Sequence, residues 1–383
     1  MSELVSPYRR VTIIKTLVKQ YRVTFYQKLH DELMTDGVMF RVLYSPPSRA
    51  ESIKSDNVNL PNEFGRKIPS YYLLADRLLL QWPGLREIIN SDLIIVVNAN
   101  RNLVNLPLLL ISKLGLKKVA FWGHGVNHQG SKRAIFERIK RFLVTQPDWW
   151  FAYTSETAEY ITSLGFDSNC VTTINNAIDT SGFANQVKNI SIEQLAAMRK
   201  RLNLTEQDRV GLYCGSLYPE KRLPFLLKTA QKIAADYPDF KLVIIGDGIE
   251  KTLIQEAAEH FDFVRYAGPL FSIEKAICYR LSEVVLNPGL VGLGILDSFA
   301  AGMPFVTMTD SLHSPEIAYL EHGVNGLIID GDEVLFAANI LRILVDGSFA
   351  TILRLGAEKA ARYYTVENMV DNVKAGIIKC LNS

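Results

Sequence analysis

The sequence predicts an α/β protein made of two doubly wound parallel-sheet domains, and three observations lead to this fold class. Short apolar runs typical of buried strands alternate with amphipathic segments at helical spacing, in two successive sets. The chain has 383 residues, enough for two domains. Its composition, 48% hydrophobic and 21% charged, fits globular domains with sizeable cores. We therefore expect two Rossmann-like domains that face each other across a cleft.

The first set begins with the apolar strand Val11–Leu17 and a helix that runs to about Leu33. No G-x-G-x-x-G follows this strand, which counts against a nicotinamide or flavin dinucleotide site. Residues 45–70 are polar with several prolines, and they are predicted to form a long loop. The other elements predicted for this half are the strands Phe40–Tyr44, Asp92–Val97, Lys118–Trp122, Trp149–Tyr153 and Val171–Asn175 and the helices Leu106–Leu114, Ser131–Val144 and Ser155–Leu164.

Residues 180–208 are predicted to connect the two sets and to contain one charged helix, Ile192–Leu202. The strands predicted for the second set are Val210–Cys214, Lys241–Ile245, Phe263–Tyr266, Val284–Leu286 and Pro304–Met308. The helices predicted for it are Leu223–Ala235, Glu250–His260 and Ile273–Leu281, with further helices from Gly294, Glu333, Phe349 and Val366.

A glycine-rich stretch follows the strand Val284–Leu286 and opens the next helix. Its glycines, Gly289, Gly292 and Gly294, let the backbone approach a ligand without a Cβ in the way. Free N–H groups and a helix dipole at one point suit a phosphate. Asp297, about one turn into the helix, is placed to accept hydrogen bonds from ribose hydroxyls. The same stretch also fits a tight turn in any α/β protein.

Residues 287–304 resemble the donor-site loop of family 4 glycosyltransferases, which are retaining enzymes with the two-domain GT-B fold. The family pattern there is Glu-x7-Glu, running into Ala-x-x-x-Gly-x-Pro. Asp297 stands in place of the second glutamate and Gly289 in place of the first, so one carboxylate is missing. The chain is similar instead to the subgroup that reads Pro-Gly-x-Val-Gly-Leu. The resemblance covers nearly the whole chain; it is strongest from Val171 to Ile329 and weak before His124.

The resemblance implies an acceptor-binding domain at residues 1–180 and a nucleotide-sugar-binding domain at residues 181–364. Residues 365–383 are expected to form a helix that returns to the first domain. Arg22, Asn100 and Arg101, in loops that follow predicted strands, are expected to bind the acceptor. The residues expected to bind the donor are Gly215, Ser216, Arg265, Tyr266, Gly268, Gly289, Leu290, Val291, Gly292, Leu293, Gly294 and Asp297.

Three residues are expected to act in catalysis. Lys221 matches the family's Gly-Arg-Leu…Glu-Lys-Gly loop, where Arg and Lys hold the diphosphate; Ser216 replaces that arginine and Arg222 replaces the last glycine. Arg222 is therefore expected to supply the displaced charge. A solvated helix start is the alternative, although two cations there are unfavourable unless an anion binds. His124, at the end of the strand Lys118–Trp122, resembles the family's histidine that contacts the donor sugar, and a structural histidine is the alternative.

The resemblance implies retaining, metal-independent transfer of a sugar from a nucleotide sugar to an acceptor hydroxyl. The acceptor expected by analogy is a carbohydrate or a lipid-linked oligosaccharide in bacterial cell-surface polysaccharide assembly. No cofactor is expected, because the nucleotide sugar is a substrate, and no metal is expected, because protein groups are expected to supply the positive charge. Two alternatives stay open: a GT-B nucleotide-sugar epimerase, and a non-catalytic nucleotide-sugar-binding partner of a transferase, which Gly289 and Ser216 favour.

Charge is distributed unevenly along the chain. Residues 1–180 carry 22 Lys and Arg against 16 Asp and Glu, whereas the remainder carries 20 against 24. A basic first half suggests an anionic partner, and no nucleic acid is expected. The basic amphipathic helix Ser131–Val144 fits either an anionic membrane surface or a domain core with a solvated basic face. Four cysteines without metal-like spacing and a start without an apolar leader predict a cytoplasmic protein that can lie at the inner face of the cell membrane.

Overall fold

Two parallel sheets organise the protein. The computed structural model describes residues 8–48, 57–74, 76–99, 101–125, 138 and 141–383. The chain divides into two compact units. Unit 1 comprises Met1–Asp179 and Val366–Ser383, and unit 2 comprises Thr180–Thr365. The boundaries expected from the sequence fall after residues 180 and 364.

Unit 1 is a parallel sheet covered by helices. Its strands are β1 (Arg9–Lys15), β2 (Val38–Tyr44), β3 (Gly65–Lys67), β4 (Ser70–Leu73), β5 (Leu78–Gln81), β6 (Leu93–Val97), β7 (Lys118–Gly123), β8 (Trp149–Ala152) and β9 (Val171–Thr173). Its helices are α1 (Val23–Thr35), α2 (Leu85–Asn90), α3 (Asn105–Lys113), α4 (Ser155–Ser163) and the last helix of the chain, α13 (Val366–Asn382). In the described residues the parallel strands lie in the order β3-β2-β1-β6-β7-β8-β9, while β4 and β5 form a separate antiparallel hairpin.

The strands of unit 1 are buried at consecutive positions. β6 and β8 each bury four successive residues, because helices cover both faces of the sheet and neither face is exposed to solvent. The final helix contributes to this cover. α13 packs against α1 and buries Met369, Val370, Val373 and Ile377.

Unit 2 repeats this architecture. Its strands are β10 (Arg209–Cys214), β11 (Phe240–Ile245), β12 (Val264–Gly268), β13 (Val284–Leu286), β14 (Phe305–Met308) and β15 (Gly326–Ile329). Its helices are α5 (Ser181–Lys188), α6 (Ile192–Arg201), α7 (Leu223–Asp236), α8 (Lys251–His260), α9 (Ser272–Leu281), α10 (Gly294–Ala300), α11 (Glu333–Val345) and α12 (Gly347–Tyr363). The strands are parallel in the order β12-β11-β10-β13-β14-β15. Phe240, Leu242, Leu286 and Phe336 lie in its hydrophobic core.

Strand order defines where each unit offers room for a ligand. In each sheet the first strand along the chain lies in the middle. The strands that follow it extend the sheet to one edge, and the later strands extend it from the first strand to the other edge. The order reverses between β1 and β6 in unit 1 and between β10 and β13 in unit 2. In open α/β sheets, ligands bind at such a switch point, outside the carboxyl ends of the strands. The predicted fold class, two doubly wound parallel-sheet domains, is confirmed.

Several elements differ from the sequence prediction. Residues 45–70 are not all loop, since β3 lies within them and pairs with β2. Its sequence, Gly-Arg-Lys, has no apolar alternation by which a strand could be recognised. The hairpin β4–β5, helix α5 and strand β15 are also additions. The predicted helix Ser131–Val144 lies largely outside the described residues, of which 138 and 141–144 are helical.

A search of the described residues finds no single helix long and apolar enough to cross a membrane. The two helices α11 and α12, which are bent by 94° where they meet, are long and apolar enough only when they are taken together.

Candidate functional site

The glycine loop, residues 287–293, lies at the switch point of unit 2. It leaves the carboxyl end of β13, whose neighbours in the sheet are β10 and β14. The loops that follow those two strands supply its supports. Pro219–Lys221, a 3-10 turn, follows β10, and residues 309–314 follow β14.

Gly289 packs directly on the turn Pro219–Lys221. The Leu290 N–H donates to the Glu220 carbonyl at 2.8 Å, which holds the two backbones together. A Cβ at position 289 would lie 2.3 Å from the Glu220 carbonyl oxygen and 2.4 Å from the Lys221 Cα. Both are backbone atoms, so neither can swing aside. This close approach explains why a glycine occupies the position of the family's first glutamate.

Lys221 is buried between the turn and the glycine loop. Its Nζ donates to the Leu290 carbonyl and lies 5.5 Å from the centre of the Tyr218 ring. Burial lowers the pKa of Lys221 to about 8. Its ammonium has no carboxylate partner among the residues that the structure describes. A buried cation without a counter-charge is unfavourable unless an anion binds beside it.

Arg222 differs from Lys221 in both backbone and charge. It adopts a left-handed conformation with φ 57°, which explains the glycine that the family has at this position. Its guanidinium forms an ion pair with Asp310 and stacks on the Phe225 ring at 4.7 Å. The charge of Arg222 is therefore compensated within unit 2, whereas that of Lys221 is not.

His313 fixes the other side of the glycine loop. The Val291 N–H donates to His313 Nδ1 at 3.1 Å, and His313 Nε2 lies 2.8 Å from the Met308 carbonyl. The first contact requires an unprotonated Nδ1, so Nε2 carries the proton and donates to Met308. Burial, together with the nearby charge of Lys221, lowers the pKa of His313 and favours this neutral form. The Ser314 N–H adds a bond to the Val291 carbonyl at 2.9 Å.

The end of the glycine loop is open, whereas its beginning packs on the turn Pro219–Lys221. A Cβ at Gly292 would come no closer than 3.8 Å to Ser314 Oγ, and one at Gly294 would meet nothing within 4 Å. The N–H groups of Gly292, Leu293 and Gly294 have no acceptor in the described part of the chain. Three amides at the start of α10 thus lack an acceptor among the described residues, a suitable arrangement for an anionic oxygen.

Asp297, in the first turns of α10, has a partner that sequence reasoning missed. Lys275 Nζ lies 2.7 Å from Asp297 Oδ2, and both side chains are mostly buried. Lys275 also lies 4.8 Å from the Phe183 ring. Burial alone would lower the pKa of Lys275, but the Asp297 carboxylate outweighs it and the pKa is raised. Asp297 is thus a carboxylate paired with a cation and fixed in place. No local pattern around Lys275 marks it, because only the fold brings α9 beside α10.

Four of the predicted donor-binding residues meet at the carboxyl ends of β10, β11 and β12. Tyr266 donates its hydroxyl proton to the Gly246 carbonyl at 2.9 Å, and the Gly246 N–H donates to Gly268 at 3.0 Å. A Cβ at Gly246 would lie 1.9 Å from the Gly215 carbonyl oxygen, so these loops pack backbone against backbone. The Ser216 carbonyl accepts a hydrogen bond from the Tyr213 hydroxyl, and Ser216 itself is exposed.

Arg265 is not brought to the glycine loop. Its guanidinium donates to the Asp262 carbonyl at 2.6 Å and to Asp262 Oδ1 at 3.2 Å, and a third bond reaches the Asn203 carbonyl at 3.3 Å. Asp262 precedes β12, so these partners lie at the amino end of the strand. The contacts give Arg265 a structural role in unit 2.

The residues predicted for unit 1 lie around its own switch point. Arg22, after β1, donates to the Ala177 carbonyl at 2.9 Å and to Asn176, so it anchors the last turn before residue 180. This contact has a structural role, and the acceptor role of Arg22 stays a prediction. Arg101 follows β6 and is half-buried, and Asn100 lies outside the described residues.

His124 directly follows β7 in unit 1, and its ring lies edge-on to Tyr153 at 6.2 Å. Lys15, at the carboxyl end of β1, is a further cation near this edge that the sequence did not mark. It lies 5.1 Å from the Trp122 ring, and burial together with the charge of Arg22 lowers its pKa to about 7.

Comparison with known proteins identifies unit 2. Residues 208–346 match the family model described as "Glycosyl transferases group 1". Unit 2 carries a glycosyl transferases group 1 domain. The matched residues include β10 to β15 and therefore the whole glycine loop with its supports.

Curated relatives match the region of this group 1 domain in part. The chain is 23% identical over 181 residues to an alpha-monoglucosyldiacylglycerol synthase of Acholeplasma laidlawii, a match that covers 46% of this chain and 44% of that protein. It is 30% identical over 185 residues to a D-inositol 3-phosphate glycosyltransferase of Thermobispora bispora, with 44% and 42% covered. The chain thus spans less than half the length of these relatives.

Solved structures share the fold over nearly the whole chain. HepE of Anabaena in complex with UDP has a TM-score of 0.69 at 14% identity, and 97% of this chain and 99% of that chain are covered. A UDP-N-acetylglucosamine 2-epimerase has a TM-score of 0.56 at 13% identity, with 91% of each chain covered. At such identities the likeness shows the fold alone, and it is that of GT-B proteins.

Proposed function

We propose that the chain is a retaining glycosyltransferase that moves a sugar from a nucleotide-sugar donor to an acceptor hydroxyl. One observation carries the proposal: the buried Lys221 ammonium lies against the same glycine loop whose open end presents three amides. In the described part of the chain the ammonium donates to the Leu290 carbonyl but has no carboxylate that neutralises it, and the three amides have no carbonyl or carboxylate that accepts from them. Together they form an electropositive site that suits an anion. The donor's diphosphate supplies the missing charge.

Each side chain then has a role in the transfer. Negative charge on the leaving diphosphate grows as the bond to the sugar breaks, and Lys221 with the amides of residues 292–294 stabilises it. Asp297, held by Lys275, accepts hydrogen bonds from the ribose hydroxyls. Arg222 reaches the diphosphate only when it leaves Asp310, so we assign it a secondary part. Metal independence follows in this proposal, because protein groups supply the positive charge.

The roles proposed for groups that contact the donor sugar and accept the acceptor proton are taken from the family resemblance. His124, at the carboxyl edge of the unit 1 sheet, is proposed to orient the donor sugar. The acceptor hydroxyl passes its proton to the donor phosphate, so no side chain is assigned as general base. Retention of the anomeric configuration is part of the same proposal.

The acceptor is proposed to be lipid-linked. One relative is named for a diacylglycerol glycolipid and another for inositol 3-phosphate, so relatives of the group 1 domain use lipid or phosphorylated acceptors. We extend this to a lipid-borne oligosaccharide in cell-surface polysaccharide assembly, on the cytoplasmic side of the membrane. The basic first half of the chain agrees with an anionic acceptor.

A donor panel tests the proposal. UDP-, GDP- and dTDP-sugars are first screened for stabilisation of the protein against unfolding; a ligand at 100 times its Kd adds about 2.7 kcal/mol. The best donor is then incubated with lipid-linked acceptors, with and without EDTA, and the anomeric configuration of the product is determined by NMR. We expect transfer with retention, unaffected by EDTA.

Other outcomes separate the alternatives. An altered nucleotide sugar formed without any acceptor would identify an epimerase, whose solved fold is also similar. Donor binding without any product would identify a non-catalytic partner. Lys221→Met should abolish binding and transfer, whereas Lys232→Met, at an exposed position on α7, serves as the matched control.

A further inference from the structure

Exposed apolar side chains are concentrated on one part of unit 1. Of the 28 large apolar side chains that are exposed in the described residues, 11 lie between Tyr71 and Leu116. They lie in or directly beside three neighbouring elements, the β4–β5 hairpin and the helices α2 and α3. Proteins without a partner rarely expose contiguous apolar patches of more than a few hundred Å². This concentration therefore needs a physical explanation.

The hairpin presents one apolar face. Tyr71 and Leu80 are direct cross-strand neighbours, and both are exposed. Leu73 and Trp82 lie two residues further along their strands and so share the same face, because side chains alternate along a strand. On the opposite face Leu79 and Gln81 are buried, at 0% and 2% exposure, and Ser70 and Tyr72 are half-buried. One face of the hairpin thus lies against unit 1, and the other, apolar face is exposed.

The helices α2 and α3 continue this surface. Each is a crossover segment that leads into the next strand of the parallel sheet, so the two run in the same direction. Leu106, Leu110 and Leu114 recur every four residues on α3, and all three are more than half exposed. Leu85 and Ile89 form a similar exposed pair on α2.

Hydrogen bonds show that the three elements are adjacent. The Leu79 N–H of the hairpin donates to the Arg101 carbonyl at 2.7 Å, just before α3 begins. At the other end, Lys117 Nζ donates to the Ile89 carbonyl at 2.5 Å, which joins the end of α2 to the segment after α3. We call the exposed hairpin face and the two helix stripes together the apolar surface.

The charges around the apolar surface are mainly positive. Arg77, Arg86 and Lys113 are exposed, and none has a carboxylate partner within the described ranges. The acid on α2, Glu87, is buried and engaged by Arg41 and Arg66 at 3.0 Å and 2.9 Å.

Two further acids in this stretch are placed at its margins. Asp92 accepts a hydrogen bond from the Arg10 N–H at 2.7 Å, and Asp76 lies at the tip of the hairpin. An apolar surface with unpaired cations around it is complementary to a layer of apolar chains beneath anionic head groups.

We propose that unit 1 binds the surface of an anionic lipid bilayer through the apolar surface. The leucines enter the boundary between head groups and acyl chains, while the three exposed cations meet lipid phosphates. Tyr71 and Trp82 have the amphipathic rings that are enriched at membrane interfaces. This site is distinct from the helix Ser131–Val144 that the sequence suggested. The proposal rests on the proposed function, because a lipid-linked acceptor gives such binding its use.

Trp82 provides a built-in probe for the test. The chain has four tryptophans. Trp82 is 57% exposed, whereas Trp122, Trp149 and Trp150 are at most 3% exposed. We expect vesicles of phosphatidylglycerol and phosphatidylcholine in equal parts to shift the emission of the whole protein to shorter wavelength. Brominated acyl chains should quench it, and pure phosphatidylcholine should give a much smaller change. No nucleotide is present, so the outcome does not depend on sugar transfer.

Paired variants assign the effect to the apolar surface. Leu110→Gln with Leu114→Gln should weaken vesicle partitioning at least tenfold in a flotation assay. Ile352→Gln with Leu355→Gln, at equally exposed helical positions in unit 2, should not. All four side chains are exposed, so the fold is expected to persist, and near-native thermal unfolding verifies this. Vesicle binding that is absent, or equal in both pairs, would overturn the proposal. A dimer in sedimentation velocity that only the first pair disrupts would overturn it too, and would assign the surface to self-association.

Discussion

Lys221 is the residue whose protonation state matters most for this account. Burial places its pKa at about 8, so at neutral pH most molecules carry the charge that the diphosphate requires. Among the described residues its ammonium donates to the Leu290 carbonyl, which cannot neutralise it. A bound diphosphate favours the ammonium form and raises its pKa, which couples nucleotide binding to proton uptake.

Affinity for nucleoside diphosphate should therefore depend on pH in a defined direction. Below about pH 7 the ammonium is already protonated, and affinity should be constant with respect to this group. As pH rises through 8, binding must first protonate Lys221, so affinity should fall by up to tenfold per pH unit. Calorimetry from pH 7 to 9.5, in buffers of different ionisation enthalpy, measures both the affinity and the proton uptake.

Lys221→Arg is the matched control for this prediction. An arginine keeps its charge throughout the range, so the variant should show a flat profile even if its affinity is lower. A wild-type slope that persists in Lys221→Arg would mean that another group titrates, and Lys221 would lose its assigned role.

At this scale the sequence predicted the residues that recur in a local motif and missed those that folding brings to them. Lys221 and Asp297 stand in recognisable stretches. Lys275, the partner of Asp297, and Asp310, the partner of Arg222, come from other parts of unit 2 and have no motif of their own. Arg22 and Arg265, which were expected to bind acceptor and donor, contact protein carbonyls and side chains, and their ligand roles stay predictions.

The glycine loop shows that glycines in one motif serve different purposes. Gly289 is required by the protein's own packing, since a Cβ there would meet backbone atoms of the turn Pro219–Lys221. Gly294 faces open space, and nothing in the protein requires the absence of a side chain there. A ligand that approaches the backbone would supply the reason.

Alanine substitutions should separate these two purposes. Gly289→Ala is expected to lower the free energy of unfolding of unit 2 by about 1–3 kcal/mol, the usual cost of overpacking, and to weaken nucleotide binding with it. Gly294→Ala should leave stability near wild type while it weakens nucleoside diphosphate binding. Thermal unfolding and calorimetry on the same two proteins measure both quantities.

Two results would contradict this interpretation. If Gly294→Ala destabilised the protein as much as Gly289→Ala, the loop would be packed at both ends. If Gly294→Ala bound nucleotide as wild type does, no ligand would approach that backbone closely.

Elements with strong apolar runs were predictable, and short ones were not. The consecutive apolar residues of β6 or β11 indicate a buried parallel strand. By contrast, β3 has three residues and only a glycine buried, so its pairing with β2 depends on the tertiary structure. The β4–β5 hairpin was missed because its apolar residues face outward, and a pattern alone does not show which face is covered.

The two units have different roles in the proposed mechanism. Every nucleotide contact proposed here lies in unit 2, while His124 lies in unit 1. The return of α13 to unit 1 makes the chain cross twice between the units, after residue 179 and after residue 365. The sequence indicated this organisation from two sets of alternating strands and helices, and the chain order of the sheets confirms the fold class.

The most direct test measures nucleoside diphosphate affinity and sugar transfer on the same set of proteins. Wild type should bind and transfer, whereas Lys221→Met should lose both. His124→Ala should keep its affinity within a few-fold while transfer falls by about 100-fold or more, the scale at which misplaced reacting groups act. His260→Ala, at an exposed position in unit 2, should change neither. Wild-type protein that binds no nucleoside diphosphate would contradict the account, as would His124→Ala with weakened nucleotide binding or near-normal transfer.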